Sequence, residues 1–298
     1  MSCPVCTSKE VKELYAVREG VRLSKCSTCG HAFQCTFEEE TRSRDIQLEY
    51  FGDEFAERRG WFFDLYEKIN ARRTLCAISG NRNQNVLEIG PGSGSIISCL
   101  ARAGHQVHGL DLSPTVARHI AAKWGLVVHV ESLKGHLQKV GSGYYHLVIM
   151  RHVLEHFSDP CEALVTVYTL LKPHGQLYIA VPNMDSWHRW FPGWSGYQPY
   201  HIHYFNRQSL SLALTRSGFR IGELHSYESM TGWPNTVMHS LMKKCSNPLT
   251  HPDHPRQSKR TLLEIMRLAS GGLLWPLRLL QSSLGQGEEL NALAEKAG

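Results

Sequence analysis

An α/β fold, with a parallel sheet covered by helices on both faces and a small separate unit at the N-terminus, follows from three features of this 298-residue sequence. Short apolar strands alternate with amphipathic helices from Asn85 to Gly218. A glycine-rich turn, Glu88-Ile89-Gly90-Pro91-Gly92-Ser93-Gly94, joins the first of those strands to the first helix. Two C-x-x-C pairs, Cys3/Cys6 and Cys26/Cys29, stand ahead of all of these elements.

Composition narrows the class. Hydrophobic residues make up 42% and charged residues 20%, which suits a packed globule rather than a disordered chain. The net charge of +5 permits anionic partners without demanding them, and it is not gathered into a nucleic-acid stripe. No apolar run follows Met1, so no secretory signal is expected. The most apolar late stretch, Leu262 to Leu284, is broken by Glu264, Arg267, Pro276 and Arg278 and does not read as a membrane span. Nine cysteines without a leader point to a reducing cytoplasm rather than a disulfide framework.

Taken in order, residues 1–36 read as a zinc ribbon. Each C-x-x-C is a tight knuckle that aims two thiolates at one metal, and two knuckles close a tetrahedron with no open position, so the zinc is structural. A segment this short has no core of its own, and the metal supplies folding energy. A redox C-x-x-C is the alternative, and His31 and Cys35 lie close enough to replace a ligand. Residues 37–82 form a connector and a long helix, with apolar Trp61, Phe62, Leu65, Ile69, Leu75 and Ile78 at helical spacing. The aromatic group Tyr50, Phe51, Trp61, Phe62, Phe63 and Tyr66 reads as packing.

The α/β pattern begins at residue 83. Strands are expected at 85–89, 106–110, 127–130, 144–150 and 175–181, and helices at 95–103, 114–124 and 161–171. Ser113-Pro114 marks a helix start, and Gly104 and Gly125 mark helix ends. Ligands of such sheets sit beyond the carboxyl ends of the strands. In the turn, Gly90, Gly92 and Gly94 let the backbone approach a ligand, and free N–H groups open the helix behind them. A dinucleotide fingerprint would place a further glycine at Ser95 or Ile97. Glu88 repels a pyrophosphate and suits a cationic ligand. Asp111, ending the second strand, is placed for a ribose diol.

At E-I-G-P-G-S-G and the following Asp111, the sequence resembles the class I S-adenosylmethionine-dependent methyltransferases. The run V-L-E-H-F-S-D-P from Val153 to Pro160, and His201, Tyr204, Phe205, Ser209 and Leu210, are similar to their small-molecule branch. The resemblance implies a Rossmann-like seven-stranded sheet whose last strand, here expected from Glu288, pairs with a sixth from Phe219. It implies S-adenosylmethionine as cofactor, held by Glu88, Gly90, Gly92, Gly94, Asp111 and Leu112, by Glu131 near the adenine, and by Arg151 and His152 after the fourth strand. The core is then 83–230 with 287–298, and 231–286 is a helical insertion. Its apolar part, 262–284, is read as a cap or dimer contact, with peripheral membrane contact as the alternative.

Between the fifth strand and the next helix lies a loop rich in aromatics, Trp187 to Tyr204. His201 and His203 are its titratable groups and are taken as the candidate general bases. H-x-H spacing also raises a metal, but the sequence offers no third ligand at a helpful spacing. The sequence therefore points to methyl transfer from S-adenosylmethionine to a small molecule. The candidates are a sugar, nucleotide-sugar, polysaccharide or natural-product intermediate, a lipid-linked one included, in line with a resemblance to sugar C-methyltransferases that carry a zinc ribbon. The alternatives are an RNA base methyltransferase, disfavoured by the spread of charge, and a non-catalytic cofactor-binding scaffold.

Overall fold

The computed structural model describes residues 1–13, 22–34, 61–78, 83–198, 200–242 and 269–298. The aromatic residues Tyr50 and Phe51, the spare Cys35 and the start of the expected amphipathic helix at Leu262 lie outside them.

Two sheets organise the chain. The smaller one holds β1 (Val11–Glu13), β2 (Leu23–Cys26), β3 (Ala32–Gln34) and β9 (His203–Tyr204). The larger one contains β4 (Asn85–Ile89), β5 (Gln106–Asp111), β6 (Val128–Val130), β7 (Tyr145–Arg151), β8 (Leu171–Pro182), β10 (Phe219–Tyr227) and β11 (Glu289–Lys296). Its order is β10-β11-β8-β7-β4-β5-β6, and β11 runs antiparallel to both of its neighbours. This is the seven-stranded sheet with a reversed penultimate strand that the resemblance implies. The parallel strands β4, β7 and β8 are continuous apolar runs because helices cover both faces. Val86, Leu87, Leu147, Val148, Ile149 and Met150 are all buried.

The helices are α1 (Trp61–Ala77), α2 (Ser95–Arg102), α3 (Pro114–Trp124), α4 (Leu133–Val140), α5 (Pro160–Leu170), α6 (Arg207–Arg216), α7 (Gly232–Met242) and α8 (Trp275–Ser283). Side-chain caps start several of them. Ser113 accepts from Val116 N ahead of Pro114, Asp159 accepts from Glu162 N at 2.9 Å, and Asn206 and Ser209 form a reciprocal capping box. Helix α4 was not expected: Leu133-Lys134-Gly135-His136 carries a glycine and little apolar periodicity, and Ser132 caps it instead. Residues 269–273 are helical, the helix is interrupted at 274, and Pro276 sits in the first turn of α8 beyond the break, as the sequence leads one to expect. No helix among the described residues is long and apolar enough to cross a membrane.

Of the apolar stripe expected on α1, Leu75 and Ile78 pack in the core beside Ala71, whereas Leu65 and Ile69 do not. Leu65 and Ile69 are 38% and 37% exposed, whereas Asn70, Ala71 and Thr74 are buried. The helix turns a partly polar face inward because that face borders the site at the carboxyl ends of the strands.

The small sheet is stitched to the large domain. β3 pairs with β9, which follows β8, and Gln34 bonds the loop twice, through N to Ile202 O at 2.9 Å and through Nε2 to His201 O at 2.7 Å. A Cβ on Gly30 would stand 2.4 Å from Asn206 Nδ2, so the two parts meet backbone to side chain. Cys3, Val5, Cys26 and Cys29 share one buried cluster with Leu164, Phe205 and Leu210. Truncating Ile149, fully buried in β7, is expected to cost about 2–5 kcal/mol in Ile149→Ala, read as a lower denaturation midpoint at unchanged slope.

Candidate active site

The glycine turn lies between β4 and α2, with Gly90, Gly92 and Gly94 all at positive φ, 66°, 52° and 71°. Two of the three serve packing. A Cβ on Gly90 would meet Val153 Cγ2 at 2.6 Å, and one on Gly94 would meet Ile120 and Trp124. A Cβ on Gly92 would meet nothing within 4 Å among the described residues, so this position borders open space where a ligand can approach the backbone. Trp124 Nε1 donates to Ser93 O at 2.9 Å and fastens the turn.

Three carboxylates surround it. Glu88 is buried in β4, and its Oε2 has no hydrogen-bond partner. Burial, helped by Glu67, pushes its carboxyl up to about 8 against the pull of Arg151 and of the Ile97 N–H. An orphaned buried carboxylate oxygen beside a cradle is suited to an ammonium group. Glu67, on α1, accepts from Ser93 Oγ at 2.5 Å and ties that helix to the turn. Asp111, at the end of β5, accepts from Ser113 N at 2.8 Å, and burial raises it to about 6 although the Ser113 and Leu112 N–H groups oppose the shift. Leu112 beside it is 40% exposed, an apolar group left open at the cradle's edge. The set fits a ligand with an amine at one end, a diol further along and an apolar ring beyond.

Glu131 departs from its expected role. Its carboxylate accepts from His136 Nδ1 at 2.8 Å and pairs with Lys139, so both oxygens are engaged by α4. The charges after β7 are also engaged. Arg151 Nη2 reaches Glu289 Oε2 at 3.1 Å and His152 Nε2 reaches the same oxygen at 2.7 Å, while Arg73 of α1 pairs with Glu289 Oε1. Burial raises the Glu289 carboxyl, and Arg151 and Arg73 outweigh it, holding it well below the usual carboxylate range. His152 adopts φ 55°, and its side chain is 46% exposed. A non-glycine residue there is strained, and such strain collects at functional sites.

His201 and His203 are not placed as general bases. His203 is buried in the seam with the ribbon, its Nδ1 3.1 Å from His31 Nε2 and its Nε2 3.4 Å from Ser158 O. His201 Nδ1 donates to Gly196 O at 2.9 Å, and its ring lies edge-on to His156. Burial pushes both down, to about 3 and about 4, far from the range in which a base works at neutral pH. Trp194 and Tyr197 of the same loop are buried against Leu23 and Ala32 of the ribbon, so they pack rather than line a pocket; Trp190 is 73% exposed.

In the ribbon, the sulfurs of Cys3, Cys6, Cys26 and Cys29 all lie within 4.8 Å of one another. Cys3 and Cys29 are 3.6 Å apart and Cys6 and Cys26 3.4 Å, close to the about 3.8 Å expected between thiolates around a tetrahedral zinc. The two knuckles match. Thr7 N reaches Cys3 O at 2.9 Å and Gly30 N reaches Cys26 O at 3.0 Å, with Thr7 and Gly30 both at positive φ. The donor set fits one zinc ion.

A sheet of this order with an adenosyl-type cradle at the ends of β4 and β5 defines the class I methyltransferase architecture. A family profile described as a methyltransferase domain matches residues 59–224, more than half of the chain. The chain belongs to this methyltransferase-domain family. Among curated proteins it is 33% identical over 132 residues to the ubiquinone biosynthesis O-methyltransferase of Yersinia enterocolitica, covering 42% of this chain and 54% of that protein. It is 36% identical over 103 residues to the protein of the same name from Caulobacter vibrioides, covering 33% of this chain and 40% of that protein. The chain spans about half the length of such curated relatives. Among solved structures, a SAM-dependent methyltransferase from Archaeoglobus fulgidus superimposes with a TM-score of 0.54 at 19% identity, covering 85% of this chain and 99% of that one. The 1,6-didemethyltoxoflavin-N1-methyltransferase of Burkholderia thailandensis, solved with S-adenosylhomocysteine, gives 0.53 at 16% identity, covering 91% and 98%. At these identities the structures establish the fold alone.

Proposed function

We propose that the chain transfers a methyl group from S-adenosylmethionine to a small molecule, with oxygen as the receiving atom. The observation that carries this reading is the cradle: the unpartnered oxygen of Glu88, the open side of Gly92 and the half-buried Asp111. Relatives named as O-methyltransferases support oxygen as the acceptor atom. A sugar, nucleotide-sugar or other natural-product acceptor is part of the proposal, resting on the ribbon-plus-core arrangement.

S-adenosylmethionine, when bound, supplies a methyl group already activated on a sulfonium. The chain's residues then have binding and alignment to perform. Glu88 takes the amine, Gly92 admits the ligand to the backbone, Asp111 accepts from the ribose hydroxyls, and Leu112 borders the purine. His152, braced by Glu289, orients the acceptor oxygen, whose proton would leave to solvent as the methyl is transferred. The four cysteines hold zinc, which keeps the ribbon against the loop 200–206.

The test is turnover to S-adenosylhomocysteine by the purified chain with a panel of hydroxylated small molecules. Cofactor binding without turnover on any of them, at protein concentrations that detect slow catalysis, favours the scaffold reading. Failure to bind S-adenosylmethionine overturns the proposal. His152→Ala is expected to lower kcat by about 100-fold with the cofactor Kd nearly unchanged. A cofactor-side role for His152 would show instead as a raised Kd.

A further inference from the structure

Glu155, His156 and His201 form a group that methyl transfer does not use. Glu155 and His156 lie in the short helical turn Leu154–His156 that follows β7. His201 is brought to them from the loop after β8, where Ile202 N donates to Glu155 O at 2.8 Å. One ligand atom from each of the three residues falls within 4.8 Å of the others.

Their hydrogen bonds fix which atoms are available. His156 Nδ1 is 3.1 Å from Tyr200 O, and His201 Nδ1 is 2.9 Å from Gly196 O. A carbonyl only accepts, so each Nδ1 carries a proton, and the neutral form of each ring offers the lone pair of its Nε2. Histidines that bind metals are typically oriented in this way, through the second ring N–H on a backbone carbonyl. Glu155 completes the set. Its side chain is 0% exposed and neither carboxylate oxygen has a hydrogen bond. The His152 Nδ1 is 3.7 Å from Oε1, beyond hydrogen-bond distance. His152 is within ion-pairing reach of Oε1, which leaves Oε2 buried with no partner, a cost that a bound metal ion offsets.

We infer that Glu155, His156 and His201 bind a divalent first-row transition-metal ion, at a site distinct from the four cysteines. Two imidazoles and a carboxylate suit zinc, manganese, iron, cobalt or nickel. Three protein ligands leave coordination positions for water or for an oxygen of the acceptor. The contrast with His188, Glu228 and Glu288, which also cluster, is instructive. There His188 Nε2 bonds Glu228 Oε1 at 2.8 Å, and Glu228 Oε2 accepts from Gln281 Nε2 and Glu288 N, so both oxygens of that carboxylate are satisfied by protein atoms, unlike those of Glu155. The inference goes beyond methyl transfer and is read by metal binding itself.

The test uses the full chain. Elemental analysis after zinc loading and gel filtration is expected to give two equivalents for the unaltered protein, and one for His156→Ala and for Glu155→Gln. A single equivalent in the unaltered protein, lost on replacing cysteines, overturns the inference. If either variant fails to fold, cobalt decides. Protein charged with one equivalent of zinc, which the thiolates take first, is titrated with Co2+. Weak visible d–d absorption without an intense near-ultraviolet thiolate band is the expected result. No absorption change overturns the site, and a thiolate band assigns the cobalt to the ribbon and equally overturns it.

Discussion

Asp111→Ala is expected to raise the S-adenosylmethionine Kd by about 100-fold or more, because it removes a charged acceptor from a pair of ribose hydroxyls and each such bond contributes about 1.5–3 kcal/mol. The fold should survive, since the carboxylate's backbone bonds are local, to Ser113 N and Leu112 N ahead of α3, and Ser113 itself caps that helix. The same residue gives affinity a pH dependence. Burial raises Asp111 to about 6, so it is protonated below that value and cannot accept from both hydroxyls. Affinity should therefore be full above about pH 7 and fall as the pH drops through about 6, and Asp111→Asn should flatten that fall. Calorimetric titration between pH 5 and 8 measures both effects. Unchanged affinity in Asp111→Ala would remove the cradle assignment.

Replacing Cys26 by serine, or stripping the ribbon with a chelator, should abolish turnover while leaving cofactor affinity within a few fold. Structural zinc supplies on the order of 10–16 kcal/mol of apparent folding energy in small zinc-held units, comparable to the whole stability of a domain, so the ribbon is not expected to hold its shape without it. The damage reaches the acceptor side through the seam. Gln34 bonds the backbone at His201 and Ile202, His31 meets His203, and Trp194 and Tyr197 pack on Leu23 and Ala32. The cradle of β4 and β5 is built from other elements and should persist. Thermal unfolding, turnover and calorimetry on one sample test this; full turnover after metal removal would make the ribbon dispensable.

Much of the fold was legible because strands buried on both faces are written as unbroken apolar runs. Asn85–Ile89 and Pro114–Trp124 fall where expected, and the strand and helix ends elsewhere differ by a few residues. The candidate cradle is legible for a similar reason: Glu88, the glycines and Asp111, which we propose hold the cofactor, lie close in sequence, on one turn and the next strand. What escaped depends on distant pairs. Glu289 meets Arg73, Arg151 and His152 only because β11 is inserted beside β8 in the reversed sense. His201 and His203 attract attention by residue type, yet sequence cannot report that one anchors on Gly196 O and the other faces His31. For α1, apolar spacing found Leu75 and Ile78, which pack in the core, but not the inward Asn70 and Thr74.

The pairing of β3 with β9 also imposes an order on assembly. During synthesis the first three strands of the ribbon leave the ribosome early, while their fourth strand lies about 170 residues downstream, an interval on the order of ten to thirty seconds at ordinary elongation rates. Through that interval β3 has an unpaired edge, the kind of edge that recruits other chains. Metal capture by the nascent knuckles would hold the first strands in register until the loop bearing His203 and Tyr204 arrives. Zinc supply during translation, rather than in the finished protein, would then govern how much of the chain reaches its native state.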